Sequence, residues 1–217
     1  MLKFAANLTM LYNELDFLER FAAAARAGFT GVEYLFPYAY DKAQLAERLD
    51  ATGLKQVLFN LPAGDWAAGE RGIACLPDRV DDFQAGVGQA IAYAQTLDCK
   101  QVNCLAGKVP DGADTSAVRS TFVANLRYAA EALGKAGIVL LIEPVNTRDI
   151  PGFYLSTSAQ AFSIIDEVGS ANLKLQYDIY HMQRMEGELA ATIERNLARI
   201  GHVQLADNPG RHEPGTG

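Results

Sequence analysis

Residues 172–181 read NLKLQYDIYH. Leu173, Leu175 and Tyr177 alternate with Lys174, Gln176 and Asp178, the period of two that sends neighbouring side chains to opposite faces of a strand. Any half-exposed strand alternates in this way, so the stretch gains its meaning from two others. Residues 138–143, IVLLIE, are apolar until they end in a carboxylate, as in a strand buried on both faces. Residues 201–206, GHVQLA, are apolar apart from His202 and Gln204, which share a parity. Three successive predicted strands therefore carry Glu143, Asp178 and Gln204 at or near their C-terminal ends, the end at which chemistry sits in a barrel of parallel strands. Two carboxylates meeting there repel one another unless a cation or a proton lies between them. The three side chains offer hard oxygen donors, which suit Mg²⁺ or Mn²⁺ better than zinc.

Outward from these strands the chain alternates strand and helix without a break. Strands are predicted at 3–8, 31–36, 54–60 and 100–105, and helices at 15–27, 41–52, 79–97, 115–136, 157–168 and 185–200. Val118, Phe122, Leu126 and Leu133 give one helix its apolar side, and Gly28, Gly53 and Gly137 stand where helices end. Repeated βα units without hairpin signals imply parallel strands. A dinucleotide-binding open sheet lacks its marker, because no GxGxxG follows the first strand. Polar groups at the ends of several strands favour a (β/α)₈ TIM barrel instead. The sequence supplies seven strands, so the expectation is one barrel domain over residues 1–217 with its eighth βα unit lying beyond them.

Composition narrows the function classes. A chain of 217 residues with 49% hydrophobic content buries a full core as one domain. A formal net charge of -7 argues against a nucleic-acid partner or an anionic membrane surface. No apolar run approaches the ~18 residues of a membrane span, and the N-terminus does not read as a signal peptide. Cys75, Cys99 and Cys104 form no CxxC and read as buried thiols in a reducing cytoplasm.

The connection at 61–78, LPAGDWAAGERGIACLPD, is far longer than the usual 2–6 residues and holds the single tryptophan, Trp66. It reads either as a lid or as a static Ω-loop. Within it Glu70 and Arg71 are expected to pair with each other. Lys108, in the loop after the fourth strand, meets an anionic substrate or is simply solvated.

The runs NLPAGDWAAGERGIA, LLIEPVN, QYDIYHMQRMEGEL and HVQLADNPGRHEPGTG resemble the hydroxypyruvate isomerase family of the xylose isomerase-like (β/α)₈ barrels. The resemblance implies a divalent metal held by Glu143, Asp178, Gln204 and a glutamate on the eighth strand, with Glu143 and that glutamate as acid/base pair. It also implies a cytoplasmic isomerase of a small keto or hydroxy acid that forms homo-oligomers. Interconverting hydroxypyruvate and tartronate semialdehyde moves a carbonyl by one carbon through an enediolate, whose charge a metal stabilises while a carboxylate moves the proton. His181 and Arg211 fall on rim loops after Asp178 and Gln204, where they are placed to bind substrate oxygens, His181 having a structural hydrogen bond as its other reading. His202 is expected inside the barrel and His212 in solvent. A longer keto-sugar acid such as 2-oxo-tetronate, a metal-dependent nuclease and a non-catalytic sugar-acid binding protein are the competing readings.

Overall fold

The computed structural model describes residues 2–217. Seven strands, β1 (Ala5–Asn7), β2 (Gly31–Glu33), β3 (Lys55–Asn60), β4 (Gln101–Cys104), β5 (Val139–Ile142), β6 (Leu173–Asp178) and β7 (Ile200–Gln204), lie side by side in chain order. Each pairs in parallel with the next. Helices α1 (Arg20–Arg26), α2 (Lys42–Thr52), α3 (Val80–Thr96), α4 (Thr115–Lys135), α5 (Ser158–Val168), α6 (Ile179–Met185) and α7 (Leu189–Asn196) fill the crossovers. Among the described residues no helix is long and apolar enough to cross a membrane.

Local chemistry starts and stops these helices where the sequence predicts. Side chains of Asp41, Asp114 and Thr157 accept from Ala43, Ser116 and Gln160 backbone N–H groups at the starts of α2, α4 and α5. Gly53 and Gly169 end α2 and α5 in the left-handed conformation that costs glycine nothing. The apolar side of α4 buries Val118, Phe122, Leu126 and Leu133 completely against the sheet.

Two predicted helices are corrected. The segment 15–27 begins with a 3₁₀ turn, Phe17–Glu19, before α1. The helix expected at 185–200 is α7 followed by a 3₁₀ turn, Leu197–Arg199, and a further helix, α6, comes before it. The Asp178 carboxylate accepts from the His181 N–H and so starts α6 directly from the end of β6. Gly187 and Glu188, both at positive φ, then break the chain before α7.

The sheet is curled into a barrel wall. In a flat sheet β2 and β7, five places apart, would be separated by about 24 Å at the usual ~4.8 Å spacing. Here Glu33 on β2 touches both His202 and Gln204 on β7 at 2.6 Å, across the lumen. The outward side chains of β6, Leu173, Leu175 and Tyr177, are buried, whereas Val203 and Leu205 on and after β7 are exposed.

Loop 61–78 is woven into the rim. Gly72 N donates to Ala63 O at 3.0 Å and Cys75 N to Ala106 O at 2.8 Å. Gly72 sits at φ +112°, and a β-carbon there would collide with the backbone of Leu105 and Gly107. Gly28 also has a positive φ, +90°, but faces open space. Gly72→Ala is therefore expected to lower unfolding stability by more than about 2 kcal/mol and Gly28→Ala by clearly less, since only the former adds a backbone collision to the conformational strain. Paired urea melts measure the difference, and equal losses would contradict the packed-loop account.

Candidate active site

The strand ends form a ring of polar residues. Asn7, Glu33, Asn60, Asn103, Asp178 and Gln204 close or nearly close their strands, and Glu143 follows β5 directly. A cleft of about 310 Å³ opens over this ring, with Trp66 and Phe153 on its walls.

At its floor Glu143 and Asp178 are 6% and 2% exposed, which makes them a buried pair of carboxylates. Burial, then the charge of Asp178, raises the Glu143 pKa, and Arg211 and the amides of Gln176 and Asn103 oppose that rise. Asn103 Nδ2 donates to Glu143 Oε2 at 2.9 Å and to Asn60 Oδ1 at 3.0 Å. Asp178 Oδ2 accepts from Arg211 Nη2 at 2.9 Å. His181 is buried beside them, its Nε2 3.6 Å from Asp178 Oδ2 and 3.9 Å from Glu143 Oε1.

The protonation of His181 follows from its neighbours. Asn146 Oδ1 accepts from the Arg148 and Asp149 N–H groups at 3.1 and 2.8 Å, so the amide nitrogen of Asn146 must face His181 Nδ1, 2.8 Å away. The Asn146 backbone N–H points at the same ring nitrogen at 3.4 Å. Nδ1 is thus an acceptor, and the proton lies on Nε2, toward the carboxylates. Burial pushes the His181 pKa down to about 4, against the pull of Asp178, which leaves a neutral ring. Arg211 Nη2 lies 3.4 Å from Nε2 but donates to Asp178 at the shorter distance.

The same logic orients the amides on the other side. Glu33 is 5% exposed and accepts from Asn7 Nδ2 at 3.0 Å and from Gln204 Nε2 at 2.6 Å. Gln204 Oε1 therefore turns to Gln176, which donates at 3.0 Å. One lone pair of the Gln204 oxygen remains for a further partner. Gln176 Oε1 is buried with no partner among the described residues.

These residues fit a divalent cation. Glu143, Asp178 and His181 offer donor atoms that all lie within 4.8 Å of one another. Two buried carboxylates face one guanidinium and a neutral imidazole, so a negative charge is left over, and a cation relieves the repulsion that otherwise favours a proton on Glu143. The tautomer removes His181 from the donor set, because its Nε2 lone pair is occupied by the proton.

Of the residues expected at the site, Glu143, Gln204, His181 and Arg211 line one cleft, and Asp178 is buried behind them on Arg211, though Gln204 bonds to Glu33 and Gln176 rather than to the carboxylate pair. Lys108 does not join them. It is exposed and borders a separate surface depression. His202 lies inside the barrel on Glu33, and His212 is exposed. Glu70 and Arg71 do not pair: Glu70 binds Arg79 at 2.6 Å, and Arg71 turns into the cleft over Trp66. The sequence reading passed over Glu33, although a carboxylate ending a strand is the signal that marked Asp178. Asn146 and Gln176 carried no such signal.

The family model described as "Xylose isomerase-like TIM barrel" matches residues 21–217. Hydroxypyruvate isomerase of Escherichia coli (strain K12) is 58% identical over 217 residues, 100% of this chain and 84% of that protein. 2-Oxo-tetronate isomerase of Cupriavidus necator is 51% identical over 215 residues, 99% of this chain and 83% of that protein. A crystal structure from Brucella melitensis, titled AP endonuclease, family 2, superimposes with a TM-score of 0.97 at 46% identity, covering 100% of this chain and 84% of that one.

In metal-free protein near pH 7, nitrogen-15 NMR of the imidazole should find His181 neutral with its proton on Nε2. A proton on Nδ1 would refute the hydrogen-bond chain from Asn146.

Proposed function

Because this chain belongs to the xylose isomerase-like TIM barrel family, we propose that it is a hydroxypyruvate isomerase, interconverting hydroxypyruvate and tartronate semialdehyde. The observation that carries the reading is the buried Glu143–Asp178–His181 group at the mouth of the barrel, in a chain 58% identical over its 217 residues to a protein of that name. The reaction needs a base for a carbon-bound proton, a group that polarises the adjacent carbonyl, and stabilisation of an enediolate.

Glu143 is placed to be the base. Its burial beside Asp178 favours the protonated form, so it takes up a proton more readily than a solvated carboxylate does. Asn103 holds one of its oxygens at 2.9 Å, which leaves Oε1, the oxygen nearer His181, for the substrate carbon. The Nε2–H of neutral His181 donates to the substrate carbonyl oxygen as it gains charge, a task for which a neutral imidazole is suited. Arg211 and the start of α6 hold Asp178, so its position does not depend on the substrate. A divalent cation, Mg²⁺ or Mn²⁺, bound through oxygens of Glu143, Asp178 and Gln204, would supply further stabilisation of the enediolate charge. The proton leaves the hydroxymethyl carbon for Glu143 and returns to the former carbonyl carbon, while the hydroxyl proton passes from one enediolate oxygen to the other, so the neighbouring hydroxyl becomes the new carbonyl. If Glu143 returns the carbon's proton, both transfers use one face of the planar intermediate; a second acid would deliver it from the other.

A four-carbon substrate is the second reading, on the 51% identity to a 2-oxo-tetronate isomerase and a cleft of about 310 Å³ that accommodates either acid. A binding protein without catalysis is the reading from another class. The net charge of -7 speaks against a nuclease, which needs a basic surface for the phosphate backbone. All three cysteines are free and buried, which accords with the reducing cytoplasm that the reading implies; the reading also implies a homo-oligomer.

Glu143→Gln should leave substrate binding nearly intact and cut turnover by about a hundredfold or more. Asp178→Asn keeps the helix cap but should weaken Mn²⁺ binding by about tenfold, with activity recovering as metal is added. Steady-state kinetics on both acids, exchange of substrate hydrogen with D₂O, and calorimetry of Mn²⁺ binding test these outcomes. Full activity in Glu143→Gln would remove the proposed base, and binding without exchange in the parent protein would favour the binding protein.

A further inference from the structure

The substrates proposed above are anions, yet the floor of the cleft is itself anionic. A carboxylate entering it needs a cation away from Glu143 and Asp178. Among the described residues the cationic side chains lining the cleft are Arg71 and Arg211, with His181 beside them. Arg211 is bound to Asp178 at 2.9 Å, and His181 is engaged by Asn146 through Nδ1 at 2.8 Å. Lys108 borders only the other depression, whereas Arg71 lies between the two and lines the cleft as well.

Arg71 differs from all of these. Its Nη1 donates to the backbone carbonyls of Trp66 at 2.9 Å and Glu70 at 2.7 Å. Those two acceptors account for both hydrogens of Nη1 and leave the edge formed by Nε–H and Nη2, the fork that binds a carboxylate with two parallel hydrogen bonds. Among the described residues that edge meets no acidic side chain, because the adjacent Glu70 is bound to Arg79 at 2.6 Å. The guanidinium carbon lies 4.1 Å from the centroid of the Trp66 ring, and Trp66 in turn packs edge-on against Phe36 at 5.0 Å. Stacking and two backbone acceptors thus orient the guanidinium before any ligand arrives, so little side-chain entropy remains to be lost on binding.

We propose that Arg71 is the specificity-determining residue that binds the substrate carboxylate, through the fork left open by its backbone contacts, and so selects keto acids over neutral keto sugars. This rests on the isomerase reading for its substrate but on loop 61–78 for its geometry. Binding at Arg71 directs the rest of the acid toward Glu143 and His181.

The test compares the parent protein with Arg71→Gln and Arg71→Lys. The ratio of kcat/KM for hydroxypyruvate to that for neutral dihydroxyacetone, read by D₂O exchange, should fall about ten- to a hundredfold in Arg71→Gln, the scale of a charge-assisted pair. Most of the loss should appear in KM. Arg71→Lys should lie between, because an ammonium keeps the charge without the fork. An unchanged ratio, or an equal loss on both substrates, overturns the assignment. Calorimetry with tartronate, a non-reacting carboxylate, separates this inference from the functional one. If the parent protein turns over no keto acid, the isomerase reading fails. A tenfold weaker tartronate affinity in Arg71→Gln still supports the carboxylate site, and equal affinity, or no binding to the parent, overturns it. Thermal melts that match the parent show that the variants are folded.

Discussion

Placing two carboxylates side by side out of water is the constraint around which the barrel mouth is built. Glu143 and Asp178 would each lose several kcal/mol of hydration without compensation, and the surrounding side chains are arranged to supply it. Asn103 reaches Glu143 from β4, Arg211 reaches Asp178 from the loop after β7, and the first turn of α6 donates its His181 N–H to Asp178. The compensation is incomplete: burial first, and then repulsion from Asp178, raise the proton affinity of Glu143. A site that must take up and release a proton, or hold a cation, profits from that residue of repulsion.

A third buried carboxylate organises the opposite side. Glu33 joins β2 to β7 through His202 and Gln204 and so holds the curled sheet across its lumen. Because an ionised carboxylate only accepts, it also dictates which way the Gln204 amide faces, and Gln204 then dictates the facing of Gln176. Orientation is passed along the ring, as it is from Asn146 to His181. The polar groups of the cleft are thereby fixed before a ligand binds, which lowers the reorganisation that catalysis would otherwise require.

The long loop after β3 supplies the outer wall. Gly72 passes where no side chain fits, and the Glu70–Arg79 pair ties the loop to the turn before α3. That pair also frees Arg71 from its sequence neighbour and turns its charge inward over Trp66. The loop is packed against the rim in this structure, and a packed loop is good support for a binding guanidinium.

Strand and helix order, the parallel sheet and the strand-end positions of Glu143, Asp178 and Gln204 were legible in the residues, because they depend on periodicity and on local caps within a few residues. The barrel itself followed from the same pattern. Helix α6 was missed because Asp178 was read only as a site residue, whereas its carboxylate also starts a helix. Glu33 bore the mark of a strand-end carboxylate, but its partners lie 169 and 171 residues away on β7. Adjacent opposite charges made Glu70 and Arg71 look like a pair, until the fold offered Glu70 a nearer cation in Arg79. The tautomer of His181 and the open fork of Arg71 belong to tertiary structure alone. Each is set by which donors and acceptors the folded chain brings within about 3 Å, and a distance between residues far apart in sequence is not written in either residue's identity.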